Sequence, residues 1–127
     1  AVEAATVGNE GMVPLGLLAD ERTHVYRTIL QVEGESLRVP AGHFRAVLSA
    51  SESLRRLMER YALTVTHQSG QSAACNTRHT VEERMCRWLL MSQDRVRSDK
   101  FFLTHEDLAA MLGVRRQSVS EVAKPLQ

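Results

Sequence analysis

The sequence predicts an α+β chain that is mainly α, and three observations carry that prediction. Residues 103–124 divide into two short amphipathic helices around Gly113. Residues 51–75 hold a heptad spacing suited to one long helix. Residues 1–39 instead show short β-prone runs separated by turn residues.

In chain order, Val2–Val7 reads as a strand and Gly8-Asn9-Glu10-Gly11 as a turn. Tyr26–Val32 and Ser36–Val39 read as further strands, with Glu33-Gly34 as the hairpin turn between them. Strands this short cannot hold a sheet by themselves, so they predict a larger β structure. Pro40 closes this region, and 41–48 predicts a short helix with Phe44, Val47 and Leu48 facing inward.

Ser51 or Ser53 then caps the long helix. Leu54, Met58, Tyr61, Val65, Gln68, Ser72 and Cys75 alternate spacings of four and three, the seam of a helix that pairs with its own copy. The seam is apolar in its first half and polar in its second. Gly70 weakens the second half by about 1 kcal/mol relative to alanine. Gln68, Ser69 and Ser72 either sit near an effector or switch at a dimer axis or merely set register and face solvent.

Thr80-Val-Glu-Glu83 is a capping box, so a hinge is expected near His79 and Thr80. Val81, Met85, Trp88 and Leu89 recur at helical spacing and predict a support helix ending near Gln93. Asp94–Asp99 reads as a charged turn, and Phe101–Leu103 as an extended lead into the last element.

That last element is the most constrained. Thr104 can cap its first helix, with Asp107 three residues on. Leu108, Met111 and Leu112 give an apolar face, and Ala109 is small enough for a second helix to cross closely. Gly113 falls where a tight turn needs positive φ. Val114, Val119 and Val122 supply the inner face of the second helix, residues 115–124, while Arg115, Arg116, Gln117, Ser118 and Glu121 occupy the outer one. This is the layout of a helix-turn-helix, whose second helix enters the major groove of double-stranded DNA. The competing reading is an ordinary αα-hairpin with a solvated basic face.

Length allows one domain or two small ones. A composition of 43% hydrophobic and 24% charged residues is that of a soluble globular protein. The longest apolar run is far short of a membrane span and no signal-peptide pattern is present, so no membrane partner and a cytoplasmic location are expected. Two cysteines, Cys75 and Cys86, imply no disulfide framework. Charge is evenly spread: residues 1–50 carry four basic and six acidic side chains, 51–79 four and two, 80–127 eight and seven. Non-specific phosphate attraction is therefore modest, and binding should depend on a local patch and on dimerisation.

Several stretches together resemble the Crp/Fnr superfamily of bacterial transcription regulators. The matching text is Cys75-Asn76-x-x-His79, Glu83-Arg84-x-x-Arg87-Trp88-Leu-Leu-Met91, Asp94-Arg95 and Leu103–Ser120. The resemblance implies the tail of a β-roll sensor domain at 1–50, a dimerisation helix and hinge at 51–79, and a helix-turn-helix DNA-binding domain at 80–127. A full chain of the family also has the first half of the β-roll before Ala1 and a β wing after Gln127, so both ends read as cut.

Carried over residue by residue, Arg116 falls where the family places its base-reading arginine. Gln117 replaces a usual glutamate, and Glu121 a usual arginine. Thr104 and Ser118 fall at backbone-contact positions. Arg116 can be bidentate to guanine, Gln117 to adenine, and Glu121 can accept from cytosine. The DNA-binding set is thus Thr104, Arg115, Arg116, Gln117, Ser118 and Glu121, and the dimer set is Leu54, Met58, Tyr61, Val65, Gln68 and Ser72. The implied partners are DNA, a second copy of the chain and RNA polymerase. The cyclic-nucleotide members carry an Arg-Ser/Thr-Ala after a Gly-Glu. Here Glu10 lies in Gly8-Asn-Glu-Gly11 but is followed by Arg22-Thr-His-Val25, so cyclic AMP binding is not expected and no cofactor is assigned.

Two other classes fit parts of the pattern. One is a dimeric protein-interaction module that does not bind DNA. The other is a thiol- or metal-dependent enzyme using Cys75 and His79, four residues apart on one helix face. Cys86 would lie about 10 Å further along the axis, too far to share an ion with His79. No carboxylate pair, Gly-rich phosphate loop or nucleophile elbow accompanies them, so no enzyme is expected.

Overall fold

A computed structural model describes residues 2–19, 21, 23 and 25–126, with the Leu126 side chain excepted. Among the described residues five α-helices follow in order: α1 Ala41–Ala50, α2 Glu52–Arg78, α3 Val81–Val96, α4 His105–Leu112 and α5 Arg116–Ala123. Two 3₁₀ turns, Leu15–Ala19 and Lys124–Leu126, flank the set.

The expected α+β class is not what forms. Among the described residues there is no strand, and no remnant of a β-roll. A strand persists only where its N–H and C=O rows meet a neighbouring strand, and no two of the β-prone runs pair in this way. Residues 2–7 form no regular element, and their start lies against the helix-turn-helix, where the Glu3 N–H donates to the Met111 carbonyl at 3.0 Å. The hairpin expected around Gly34 is also absent, and Leu37 is 98% exposed. The Gly8–Gly11 turn does form, closed by a bond from the Gly11 N–H to the Gly8 carbonyl at 3.3 Å.

The helix boundaries follow their caps. Ser51, rather than Ser53, caps α2, its hydroxyl accepting from the Leu54 N–H at 3.3 Å. The chain breaks at His79, where backbone φ and ψ become extended, and restarts at Thr80. There Thr80 and Glu83 form the full reciprocal capping box. The Thr80 N–H and then its hydroxyl hold the Glu83 carboxyl below the usual carboxylate range. Helix α3 runs to Val96, past the expected stop near Gln93, and ends at Arg97 in the left-handed region (φ 53°). Within α1, Leu48 is buried and Phe44 partly so, but Val47, expected inward, is exposed.

One core holds the C-terminal half together. Met85 and Trp88 of α3 meet Leu108, Ala109 and Leu112 of α4 and Val119 of α5. Phe101, Leu103, Val114 and Val122 pack at its edge. Leu48, Met58 and Cys75 are the buried apolar residues of α1 and α2. No helix of the described residues is long and apolar enough to cross a membrane, since the 27-residue α2 is too polar.

Residues 6–12 join the long helix to the support helix. The Tyr61 hydroxyl accepts from the Met12 N–H at 3.2 Å. Burial pushes its pKa above that of an ordinary phenol. Arg95 of α3 reaches Glu10 at 3.5 Å. With its amide oriented to match its neighbours, Gln68 donates to the Thr6 carbonyl at 3.2 Å and accepts from Arg95 at 3.1 Å.

Candidate nucleic-acid interface

The helix-turn-helix is built from its caps inward. Thr104 caps α4 with a complete box: its hydroxyl accepts from the Asp107 N–H at 3.1 Å, and its N–H donates to the Asp107 carboxylate at 3.1 Å. The Thr104 hydroxyl also donates to Asp107 at 2.5 Å, and these bonds, the hydroxyl's first, lower the Asp107 pKa. Leu108 and Leu112 then point into the core and Met111 lies at its edge.

Gly113 ends α4 in the left-handed conformation, with φ 65° and ψ 35°. The N–H groups of Gly113 and Val114 both return to the Ala109 carbonyl, which closes the helix end. A Cβ at residue 113 would also come within 2.5 Å of the Val2 side chain. Gly113→Ala should therefore cost about 1–2 kcal/mol, the penalty of a left-handed L-residue, and lower the melting temperature by several degrees. Gly113→Asn should lose less, because asparagine tolerates this region. Thermal melts giving alanine the stability of the wild type would show that the turn imposes no such constraint.

Helix α5 begins after Arg115 and passes into the 3₁₀ turn at Lys124, one residue inside the expected span at each end. Val119 is fully buried against α3 and α4, which turns the opposite face outward. Arg115, Arg116, Gln117 and Glu121 are exposed and Ser118 is partly buried. A shallow concavity of about 360 Å³ is lined by Arg115, Arg116, Gln117 and Ser120. Thr104 is exposed at the start of α4, though its hydroxyl is engaged by Asp107.

Two contacts escape a reading of the sequence. His105 Nδ1 meets Ser120 Oγ at 2.9 Å, joining the first turn of α4 to α5. Arg84 of α3 donates to the carbonyl of Leu112, the last residue of α4. Both join residues at least 15 apart in sequence, so no local periodicity announces them. What could have been noticed is a serine on the polar side of α5 and an arginine on the support helix.

The expected dimer residues all lie on one side of α2. Met58 is buried, and Leu54, Tyr61, Val65, Gln68 and Ser72 are partly buried. Part of that seam is engaged within the chain, through Tyr61 with Met12 and Gln68 with Thr6 and Arg95. In the segment compared with the cyclic-nucleotide motif, Arg22 and His24 lie outside the described residues. Cys75 is a buried thiol and Cys86 a partly buried one. Among the described residues no group of three or more His, Cys, Asp or Glu side chains is placed to hold a metal ion.

The comparisons agree with this geometry over the C-terminal third. No curated protein and no solved structure gives a significant match to the chain. Residues 83–127 match the Crp-like helix-turn-helix domain family. That region takes in most of α3 and all of α4, the Gly113 turn and α5. The match places residues 83–127 in the helix-turn-helix region of the Crp/Fnr superfamily.

Proposed function

We propose that the chain is part of a sequence-specific regulator of transcription that binds double-stranded DNA as a homodimer, with α5 in the major groove. The observation that carries this reading is the division of α5. Val119 is buried while Arg116, Gln117 and Glu121 stand exposed on a helix held by a capped α4 and a left-handed glycine turn. Bidentate arginine and glutamine contacts read guanine and adenine, and glutamate accepts from cytosine. Arg115, Ser118 and Thr104 serve the phosphates or neighbouring turns, and cyclic AMP is not the signal.

The test is selection from random duplex DNA at two salt concentrations. Two recognition helices related by two-fold symmetry should enrich half-sites about 34–36 Å apart, centre to centre. Affinity should fall as salt rises, because each neutralised phosphate releases counterions. Salt-independent or unenriched binding would favour the protein-interaction module instead.

The homodimer is proposed through residues 53–78 of α2. The heptad seam supports it, as does Leu57, exposed on the same helix three residues after Leu54. A dimer is expected in sedimentation velocity at micromolar concentration, and a monomer there would remove it from the proposal.

A further inference from the structure

We propose that the hinge between α2 and α3 contains a binding site for a small free oxyanion, felt by the helix-turn-helix through Arg84. A cavity of about 200 Å³ opens at this hinge, lined by Cys75, His79, Glu83, Arg84 and Arg87. It falls below the range of pockets for drug-sized ligands and suits a phosphate- or carboxylate-sized one.

Its charge is unbalanced in favour of an anion. Glu83 supplies the one carboxylate of the wall, and that carboxylate is occupied. It accepts from the Thr80 N–H at 2.8 Å and the Thr80 hydroxyl at 2.9 Å, and lies 3.5 Å from His79 Nδ1. Arginine carries a permanent positive charge. Arg84 places one Nη2 bond on the Leu112 carbonyl, while its Nε is buried with no hydrogen-bond partner among the described residues. A buried donor of a permanent cation is costly until an acceptor meets it. Arg87, three residues along α3 and partly buried, makes no hydrogen bond or ion pair with the described residues. An oxyanion in the cavity would answer both needs, and the guanidinium fork is suited to two of its oxygens.

The site also has a route to the interface. Leu112 is the last residue of α4 and immediately precedes Gly113. A ligand drawing on Arg84 acts on the group that holds this carbonyl, and so on the turn that sets the angle of α5. This coupling rests on the DNA-binding reading, whereas the binding site does not.

The experiment titrates the full chain with inorganic phosphate at constant ionic strength, balanced with chloride. Trp88, the sole tryptophan and one helical turn from Arg84, reports by fluorescence, with calorimetry alongside. A saturable change with a millimolar or lower midpoint is expected. Arg87→Gln should raise that midpoint at least tenfold with an unchanged melting temperature, and Arg87→Lys should recover part of the loss. Arg84→Gln would also loosen the turn, which makes Arg87 the deciding residue. A wild type without saturation, or an Arg87→Gln variant that binds phosphate equally well, would overturn the site. If Arg87→Gln weakens only DNA binding while phosphate does not bind, the oxyanion is a DNA backbone phosphate and the free-ligand site is overturned. In the DNA arm, saturating phosphate should shift the affinity of the wild type but not of Arg87→Gln. Phosphate binding with no such shift overturns the coupling alone. Phosphate binding by a chain that never binds DNA overturns the functional reading and leaves the site standing.

Discussion

Replacing Trp88 with alanine should lower folding stability by about 3–5 kcal/mol, the usual cost of emptying a buried aromatic site. That is a large share of the roughly 5–15 kcal/mol that holds a domain folded. Trp88 is 5% exposed and sits where α3 meets α4 and α5, against Leu108, Ala109, Leu112 and Val119. Its indole Nε1 also donates to the Glu3 carboxylate at 2.9 Å, tying the N-terminal segment to the core. Trp88→Phe separates the two contributions. It keeps most of the volume and loses the indole bond, so a smaller loss of about 1–2 kcal/mol is expected. Urea denaturation followed by circular dichroism measures both. An alanine variant within 1 kcal/mol of the wild type would mean that this cluster is not the core that supports the recognition helix.

Arg116→Ala should erase the preference for one base pair in each half-site. A bidentate arginine–guanine pair contributes about 1–3 kcal/mol of discrimination, and in a homodimer the loss counts at both half-sites. Arg116 is exposed, in the first turn of α5, and outside the core cluster, so the fold should be unaffected. Ser118→Ala should instead weaken all sequences about equally, since backbone contacts carry no base information. Binding selection on random DNA with each variant distinguishes the two patterns. An Arg116→Ala protein that selects the wild-type motif with undiminished affinity would remove this face of α5 from the groove.

The helices and their capped starts were legible in the sequence because the forces that set them are local. Thr80 with Glu83 and Thr104 with Asp107 are partners three residues apart, and both capping boxes form as their spacing requires. Gly113 lies where only a residue free of the Cβ penalty is comfortable, and it adopts φ 65°. The periodicity of Met85 and Trp88, and of Leu108 and Leu112, places them in one core, because burial on a helix recurs every three or four residues.

The N-terminal third was misread for the opposite reason. The β-prone runs at 2–7, 26–32 and 36–39 announce extended backbone, yet none of them is a strand. A strand is a property of two segments and not of one. Whether a partner edge lies alongside is decided by tertiary structure, and here Glu3 spends its backbone N–H on Met111 of α4 and its carboxylate on Trp88. The same holds for the heptad seam of α2: its spacing marks a face to be covered, but part of the cover comes from residues 6–12 of the same chain. Arg84, His105 and Ser120 complete the contrast. By itself the sequence determined where the capped helices start and which side of α3, α4 and α5 turns inward, since those depend on neighbours within four residues. It did not determine the stop of α3 at Val96 or the exposure of Val47. Only the tertiary structure decided that Arg84 would hold the end of α4 and that His105 would meet Ser120, because contacts between distant residues depend on how the helices cross.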